Sequence, residues 1–151
     1  MMKRFAMILA ALIASFQVFA QDRLPEAVSS LLKEGEPAIV SFWSLTCKPC
    51  ILELNAISEN YPDWCEERQF SVIAVSVDDA RNSSKVKSFA EGKGWSDFSI
   101  VLDTNQDIKR AMNVTTMPTV FIVDGKGKIV YRHMGYNAGG ENELFEKIKN
   151  L

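Results

Sequence analysis

Two cysteines separated by two residues, in Cys47-Lys48-Pro49-Cys50, are the residues whose types and spacing point most directly to chemistry. They follow an apolar run, Ala38 to Trp43, that reads as a short strand after the turn signal Gly35-Glu36-Pro37. Beyond them Leu54, Ile57 and Tyr61 recur at helical spacing until Pro62, where the amphipathic helix is expected to kink or end. At a helix start, residues three apart face the same way, with Cα atoms within the ~4.4–6.8 Å that a disulfide tolerates. The free N–H groups and the positive end of the helix dipole favour a thiolate at the first sulfur, and the thiolate is the attacking species in thiol–disulfide exchange. Cys47 is thus expected to be an exposed nucleophile, and Cys50, facing the core, the thiol that resolves a mixed disulfide on Cys47. Pro49 falls in the first turn, where its missing N–H costs nothing and its fixed φ holds the thiols in register. Lys48 reads equally as a charge that tunes the pair and as an ordinary solvated lysine. Glu53 lies one turn deeper than Cys50 on the same helical face. A partly buried carboxylate there would have a raised pKa and could exchange a proton with Cys50; the bland alternative is an acid complementing the helix N-terminus.

The surrounding pattern supplies the scaffold. Ser71 to Val77 is β-branched and almost continuously apolar, as in a strand buried on both faces. Val86 to Ala90 and Ile108 to Met112 suggest helices, with a strand-like Phe98 to Leu102 between them. Thr119 to Val123 and Ile129 to Tyr131 flank the turn sequence Asp124-Gly125-Lys126-Gly127, and Glu141 to Lys149 carries Leu144, Phe145 and Ile148 on one face. Strands and helices in alternation, then a hairpin and a helix, give an α/β fold with a central mixed sheet. For Met117-Pro118, ahead of the first hairpin strand, spacing alone makes a trans bond the default, since only ~5–6% of X–Pro bonds are cis.

With 151 residues, 47% of them hydrophobic and 24% charged, the chain has the balance of one ordinary globular domain. A formal charge of −2 provides no footprint for nucleic acid or anionic lipid. Three cysteines are too few for a disulfide-stapled scaffold. Met1-Met2-Lys3-Arg4, the apolar run Phe5 to Phe16, and small residues at the −3 and −1 positions of a cut after Ala20 read as a signal peptide, 1–20, ahead of a domain at 21–151; the competing reading is an uncleaved membrane anchor. The mature chain is expected to work in an oxidising extracytoplasmic space such as the bacterial periplasm, where another protein must keep its thiols reduced.

Taken together, Ser41-Phe42-Trp43 leading to the cysteine pair, Glu53, Val72 to Asp78, Leu102-Asp103, and Met117-Pro118-Thr119 to Asp124 with Gly127 resemble the thioredoxin superfamily, in particular its TlpA/ResA-like exported thiol-disulfide oxidoreductases. The resemblance covers about residues 36 to 136 in the expected order. It implies a thioredoxin-like fold, Pro118 in cis beside the pair, and a catalytic set of Cys47, Cys50 and Glu53. It also implies a substrate surface of Trp43, Thr46, Lys48, Pro49, Met117 and Pro118, the Met117 backbone pairing with an extended substrate strand. Thr46 stands where the family commonly has Trp, Asn55 where it often has Pro, and Ser41 where thioredoxin buries an aspartate. The activity implied is reduction of disulfides in exported proteins, apocytochromes among them, recharged by a membrane thiol-transfer protein. No cofactor beyond the cysteine pair, no nucleic acid and a monomer are expected.

Two alternatives stay open: a thiol peroxidase of the peroxiredoxin type, for which no Pro-x-x-x-Thr-x-x-Cys pattern is present, and a periplasmic copper or zinc carrier using Cys47, Cys50 and His133. Cys65 is expected to fill space near the end of the long helix, and His133 to be a half-exposed sheet residue. Asp78, Asp79 and Asp103 are expected to be solvated loop carboxylates, and the sequons at Asn82 and Asn113 read as chance triplets unless the host modifies them.

Overall fold

The computed structural model describes residues 23–151. The expected signal peptide, 1–20, lies outside the described residues. Among the described residues five strands and five α-helices follow in the order α1 (Glu26–Ser29), β1 (Ala38–Trp43), α2 (Lys48–Glu67), β2 (Ser71–Ser76), α3 (Ser83–Gly92), β3 (Ser99–Leu102), α4 (Asp107–Ala111), β4 (Thr119–Val123), β5 (Ile129–Met134) and α5 (Gly140–Lys149), with a 3-10 turn at Ala80–Asn82 before α3. The sheet order is β3-β2-β1-β4-β5. β1, β2 and β3 are parallel, whereas β4 runs antiparallel to both β1 and β5, so the sheet is mixed as expected and the fold is thioredoxin-like. The one-turn α1, which buries Val28, has too few residues to register as a helical period and is missed by sequence reasoning.

Alternation along each strand sorts the core into two layers. Ile39 and Trp43 of β1, with Val72, Ala74, Val120 and Ile122, pack against Leu54 and Ile57 of α2, Val86 of α3 and Leu144, Phe145 and Ile148 of α5. Val40 and Phe42, with Ile73, Val75, Phe121 and Val123, face Val28, Ile108 and Met112 on the other side. Both faces of β1 are therefore buried, which is why it reads as an apolar run broken only by Ser41.

Of the two outcomes expected at Pro62, an end to the helix is corrected, because α2 continues through it to Glu67. A proline inside a helix costs about 3 kcal/mol. Tertiary contacts on either side of it offset that cost. Tyr61 donates to the Phe70 carbonyl at 2.7 Å and meets Phe70 and Phe98 edge-on. Trp64 stacks on Phe145 of α5 with ring centroids 4.5 Å apart. Full burial of a large apolar side chain is worth roughly 1.5–3 kcal/mol, so buried Trp64 together with half-buried Tyr61 is enough to hold the last turn helical.

The hairpin turn is built by Asp124, whose Oδ1 accepts from the N–H groups of Lys126 and Lys128, both at 2.9 Å, with Gly127 at φ +81°. Its tip lies against Gly35, whose N–H donates to the Gly125 carbonyl at 2.9 Å. Among the described residues no helix is long and apolar enough to cross a membrane.

Candidate active site

Strand register brings five connections to one end of the sheet. Trp43, the last residue of β1, pairs with Ser76 at the end of β2, and Ser76 pairs with Leu102 at the end of β3. Thr119, the first residue of the antiparallel β4, pairs with Phe42 on one side and with Met134 at the end of β5 on the other. The Cys47 loop, the Asp78 loop, the Asp103 turn after β3, Pro118 and the β5–α5 connection consequently emerge together, at the carboxyl ends of the parallel strands, where open α/β sheets bind their ligands.

Cys47 occupies the N-cap of α2 and Cys50 its first turn, with Pro49 between them. The two are joined in a disulfide with Cα atoms 5.3 Å apart, inside the range that needs no backbone adjustment. Cys47 is half-buried and Cys50 is 0% exposed, so an approaching chain can reach only the first sulfur. The loop that delivers Cys47 is pinned from β2: the Leu45 N–H donates to Asp78 Oδ2 at 3.0 Å, and the Ser76 hydroxyl donates to the same oxygen at 2.8 Å. Asp78 is half-buried and does this positioning work, a role the expectation of a solvated carboxylate misses.

Glu53, 1% exposed, is buried outright rather than in part. Period-two alternation places Ser41 on the same face of β1 as Ile39 and Trp43, which is the face α2 covers, and its hydroxyl donates to Glu53 Oε2 at 3.4 Å. Burial pushes the Glu53 carboxyl up to about 8, with the Ser41 hydrogen bond working against the shift and the charge of Glu141 adding to it. At the sixth position of the helix and buried against β1, Glu53 is not complementing the N-terminus. Glu141, 8% exposed in the first turn of α5, and Tyr136, whose hydroxyl donates to Glu141 Oε2 at 2.8 Å, complete this polar cluster. Ser41 is detectable from strand alternation; Glu141 and Tyr136 carry no local sequence signal that ties them to Cys50.

The Met117-Pro118 bond is cis, as the family resemblance implies and against the default from spacing. The intrinsic trans preference at X–Pro is under about 1 kcal/mol, so packing decides the isomer. Pro118 is buried and its carbonyl accepts from the Gly135 N–H at 2.8 Å, while Met117 is half-exposed. Among the described residues neither the N–H nor the carbonyl of Met117 has a hydrogen-bond partner. Thr46, Lys48 and Pro49 are exposed around Cys47.

Trp43 departs from its expected place on the substrate surface. Its side chain is 0% exposed and packs edge-on against Trp95, centroids 5.0 Å apart, and beside Phe89. The odd positions of β1 face the helical layer, so Trp43 supports the loop from beneath instead of meeting a client. Asn55 accepts from the Trp95 indole N–H at 3.1 Å, bracing the same aromatic layer. Asp103 is a second departure: it is 4% exposed and its carboxylate accepts from the N–H groups of Ile108 and Lys109 at 3.1 and 2.8 Å, so it anchors the start of α4 and is not solvated. Asp79 does lie at the surface, paired with Arg81. Cys65 is free, half-buried and packed against the α2-side core. His133 is half-exposed on β5 and stacks on Tyr131; it does not join the cysteine pair, and among the described residues no group of three or more His, Cys, Asp or Glu side chains is placed to hold a metal ion.

The model of the AhpC/TSA family matches residues 12–132. The thiol-disulfide oxidoreductase ResA of Geobacillus kaustophilus is 34% identical over 95 residues, which are 63% of this chain and 52% of that relative. The chain thus spans about half the length of the curated relatives it matches. Among solved structures, a thioredoxin-like protein from Porphyromonas gingivalis shares 53% identity with a TM-score of 0.70, covering 79% of this chain and 77% of its own. StoA from Bacillus subtilis shares 27% identity with a TM-score of 0.62, covering 76% and 83%.

Proposed function

Because this chain belongs to the AhpC/TSA family, we propose that it is a thiol–disulfide oxidoreductase that reduces disulfides in exported proteins from an extracytoplasmic position. The observation that carries the reading is a half-exposed Cys47 bonded to a fully buried Cys50, with a buried carboxyl one turn behind. In the forward direction the Cys47 thiolate attacks a client disulfide; its electron pair forms the new S–S bond, and one client sulfur leaves as a thiolate and takes a proton. Cys50, once deprotonated, attacks Cys47, closing the intramolecular disulfide and expelling the second client thiol. Recharging runs in reverse. A donor protein's thiolate attacks Cys47, the Cys47–Cys50 bond breaks, the electron pair stays on Cys50, and Glu53 supplies the proton, becoming a carboxylate.

Glu53 suits that exchange on energetic grounds. A carboxyl at its ordinary 4.5 would be about four units more acidic than a thiol near 8.5, so the proton could not be shared. At about 8 the carboxyl comes into the range where thiols ordinarily titrate, so the mismatch narrows and a proton can be exchanged with Cys50. The unpartnered Met117 backbone beside the site is available to pair with an extended client segment by strand addition, with Thr46, Lys48 and Pro49 completing the contact surface. The relative named ResA is a thiol-disulfide oxidoreductase by name, and the resemblance to the TlpA/ResA-like branch favours a reductase recharged by a membrane thiol-transfer protein, with apocytochromes among the clients.

The test is disulfide reduction of insulin and capture of clients. Cys47→Ala should abolish reduction, and Cys50→Ala should accumulate a mixed disulfide with exported proteins. Full reductase rate in Cys47→Ala overturns the proposal; rapid peroxide turnover that survives Cys50→Ser replaces it with a thiol peroxidase.

A further inference from the structure

Glu141 does more than begin a helix. Gly139, at φ +94°, turns the chain into α5, and its N–H donates to Glu141 Oε2 at 3.0 Å. The Tyr136 hydroxyl donates to the same oxygen at 2.8 Å, and Asn142 Nδ2 approaches Oε1 at 3.5 Å. A glutamate in the first turn complements the helix dipole, and such a role alone is satisfied by an exposed side chain. This one is instead turned inward, 8% exposed, against the layer where α5 packs on α2. Glu141 heads the α5 stripe of Leu144, Phe145 and Ile148, which packs in one layer with Leu54 and Ile57 of α2, the helix face that carries Glu53; Ser41 from β1 bonds Glu53, Tyr136 of the β5–α5 connection bonds Glu141, and Cys50 lies three residues before Glu53 on α2. Of these only Glu141 brings a like charge.

We propose that Glu141 is a positioning residue for thiol–disulfide exchange: clamped by Tyr136 and Gly139, its carboxylate sets a negative charge against Glu53 and keeps that residue loaded with the proton Cys50 receives when the disulfide opens. Two inward carboxylates that share a low-dielectric layer cannot both ionise cheaply. Glu141 is met by three donors, whereas Glu53, with a single long bond to a serine, keeps its proton. Tyr136 is half-exposed, so the phenol that clamps Glu141 also forms the outer wall of the cluster. Its own hydroxyl is pushed up to about 12 by burial and by these carboxylates, so it stays a donor throughout the working range.

This rests on the reading of the chain as an oxidoreductase, but its test does not. The full chain, disulfide closed and with glutamate side-chain carboxyls labelled with carbon-13, is titrated by NMR, with Glu53→Gln assigning the Glu53 signal. Glu141→Gln removes the like charge and should lower the Glu53 midpoint by about half a unit to one unit. Tyr136→Phe leaves the charge but takes away the dipole that offsets it, and should move the midpoint upward by a few tenths. Opposite shifts are the signature. No shift in Glu141→Gln, or a fall in both variants, which loosened packing and entering water would cause, overturns the proposal. Should Glu141→Gln fail to fold, Tyr136→Phe decides alone: an upward shift supports the role and any other result refutes it. If exchange activity proves absent while the opposite shifts persist, the functional reading falls and the electrostatic pairing stands.

Discussion

Replacing Glu53 by glutamine should make the oxidised protein more stable at neutral pH and remove a large part of its pH dependence. The magnitude follows from one group. In the folded chain Glu53 holds its proton to about 8, and in the unfolded chain it returns to its ordinary 4.5. The folded value is the higher one, so this group's contribution to stability is fully present below pH 4.5 and is lost as pH rises toward 8. Each unit in that window is worth 1.36 kcal/mol, so about 3 kcal/mol is lost by pH 7 and roughly 4 to 5 kcal/mol by pH 8. Against a typical total of ~5–15 kcal/mol that is a substantial fraction. Glutamine has the shape of the protonated acid, can still accept from Ser41, and titrates nowhere. Urea unfolding followed by far-UV circular dichroism, with the disulfide intact, should therefore give coincident stabilities for the two proteins near pH 4.5, and a gap favouring Glu53→Gln that widens by about 1.4 kcal/mol per unit up to pH 8. Taking the difference between the proteins cancels the titrating groups that do not interact with Glu53. A gap that stays constant across this range would show that the buried carboxyl does not retain its proton, and the proton-matching argument for Cys50 would go with it.

Three further outcomes are expected. Asp78→Ala leaves the Leu45 N–H without its acceptor and should slow disulfide exchange by roughly fivefold, the equivalent of about 1 kcal/mol of loop ordering, whereas Asp78→Asn keeps an acceptor oxygen and should retain most of the rate; equal rates for the two variants in the insulin assay count against the pinning role. Asp103→Ala orphans the N–H groups of Ile108 and Lys109 and should cost about 1–3 kcal/mol in urea unfolding, with exchange chemistry unchanged. Gly125→Ala places a Cβ 2.7 Å from the carbonyl carbon of Gly35, backbone that has no side chain to swing away, and should lower stability by about 1–3 kcal/mol; an unchanged thermal midpoint would mean the two turns are not in contact in solution.

Much of the molecule is legible residue by residue because its signals are local. The cysteine spacing, the strand before it and the helix after it depend on neighbours within a turn or two, and β1, β4 and the hairpin turn begin and end close to where alternation and turn chemistry place them. Helix α2 passing through Pro62 is the instructive exception: propensity penalises the proline, and stacking of Trp64 on α5 overrules it. Trp43 and Asp103 are misread for a related reason, since residue type and position after a strand say nothing about which layer covers the side chain.

By itself, then, the amino-acid order determined which atoms can react: a nucleophilic sulfur at a helix start, a second sulfur one turn on, and a carboxyl behind them. What state those atoms are in was decided by tertiary structure. The proton on Glu53 depends first on burial between the layers, which outweighs the opposing bond from Ser41, and then on the charge of Glu141 from the last helix, conditions met only when the layers close. Desolvation and charge repulsion depend on distance through space, and no short-range pattern in the chain encodes them.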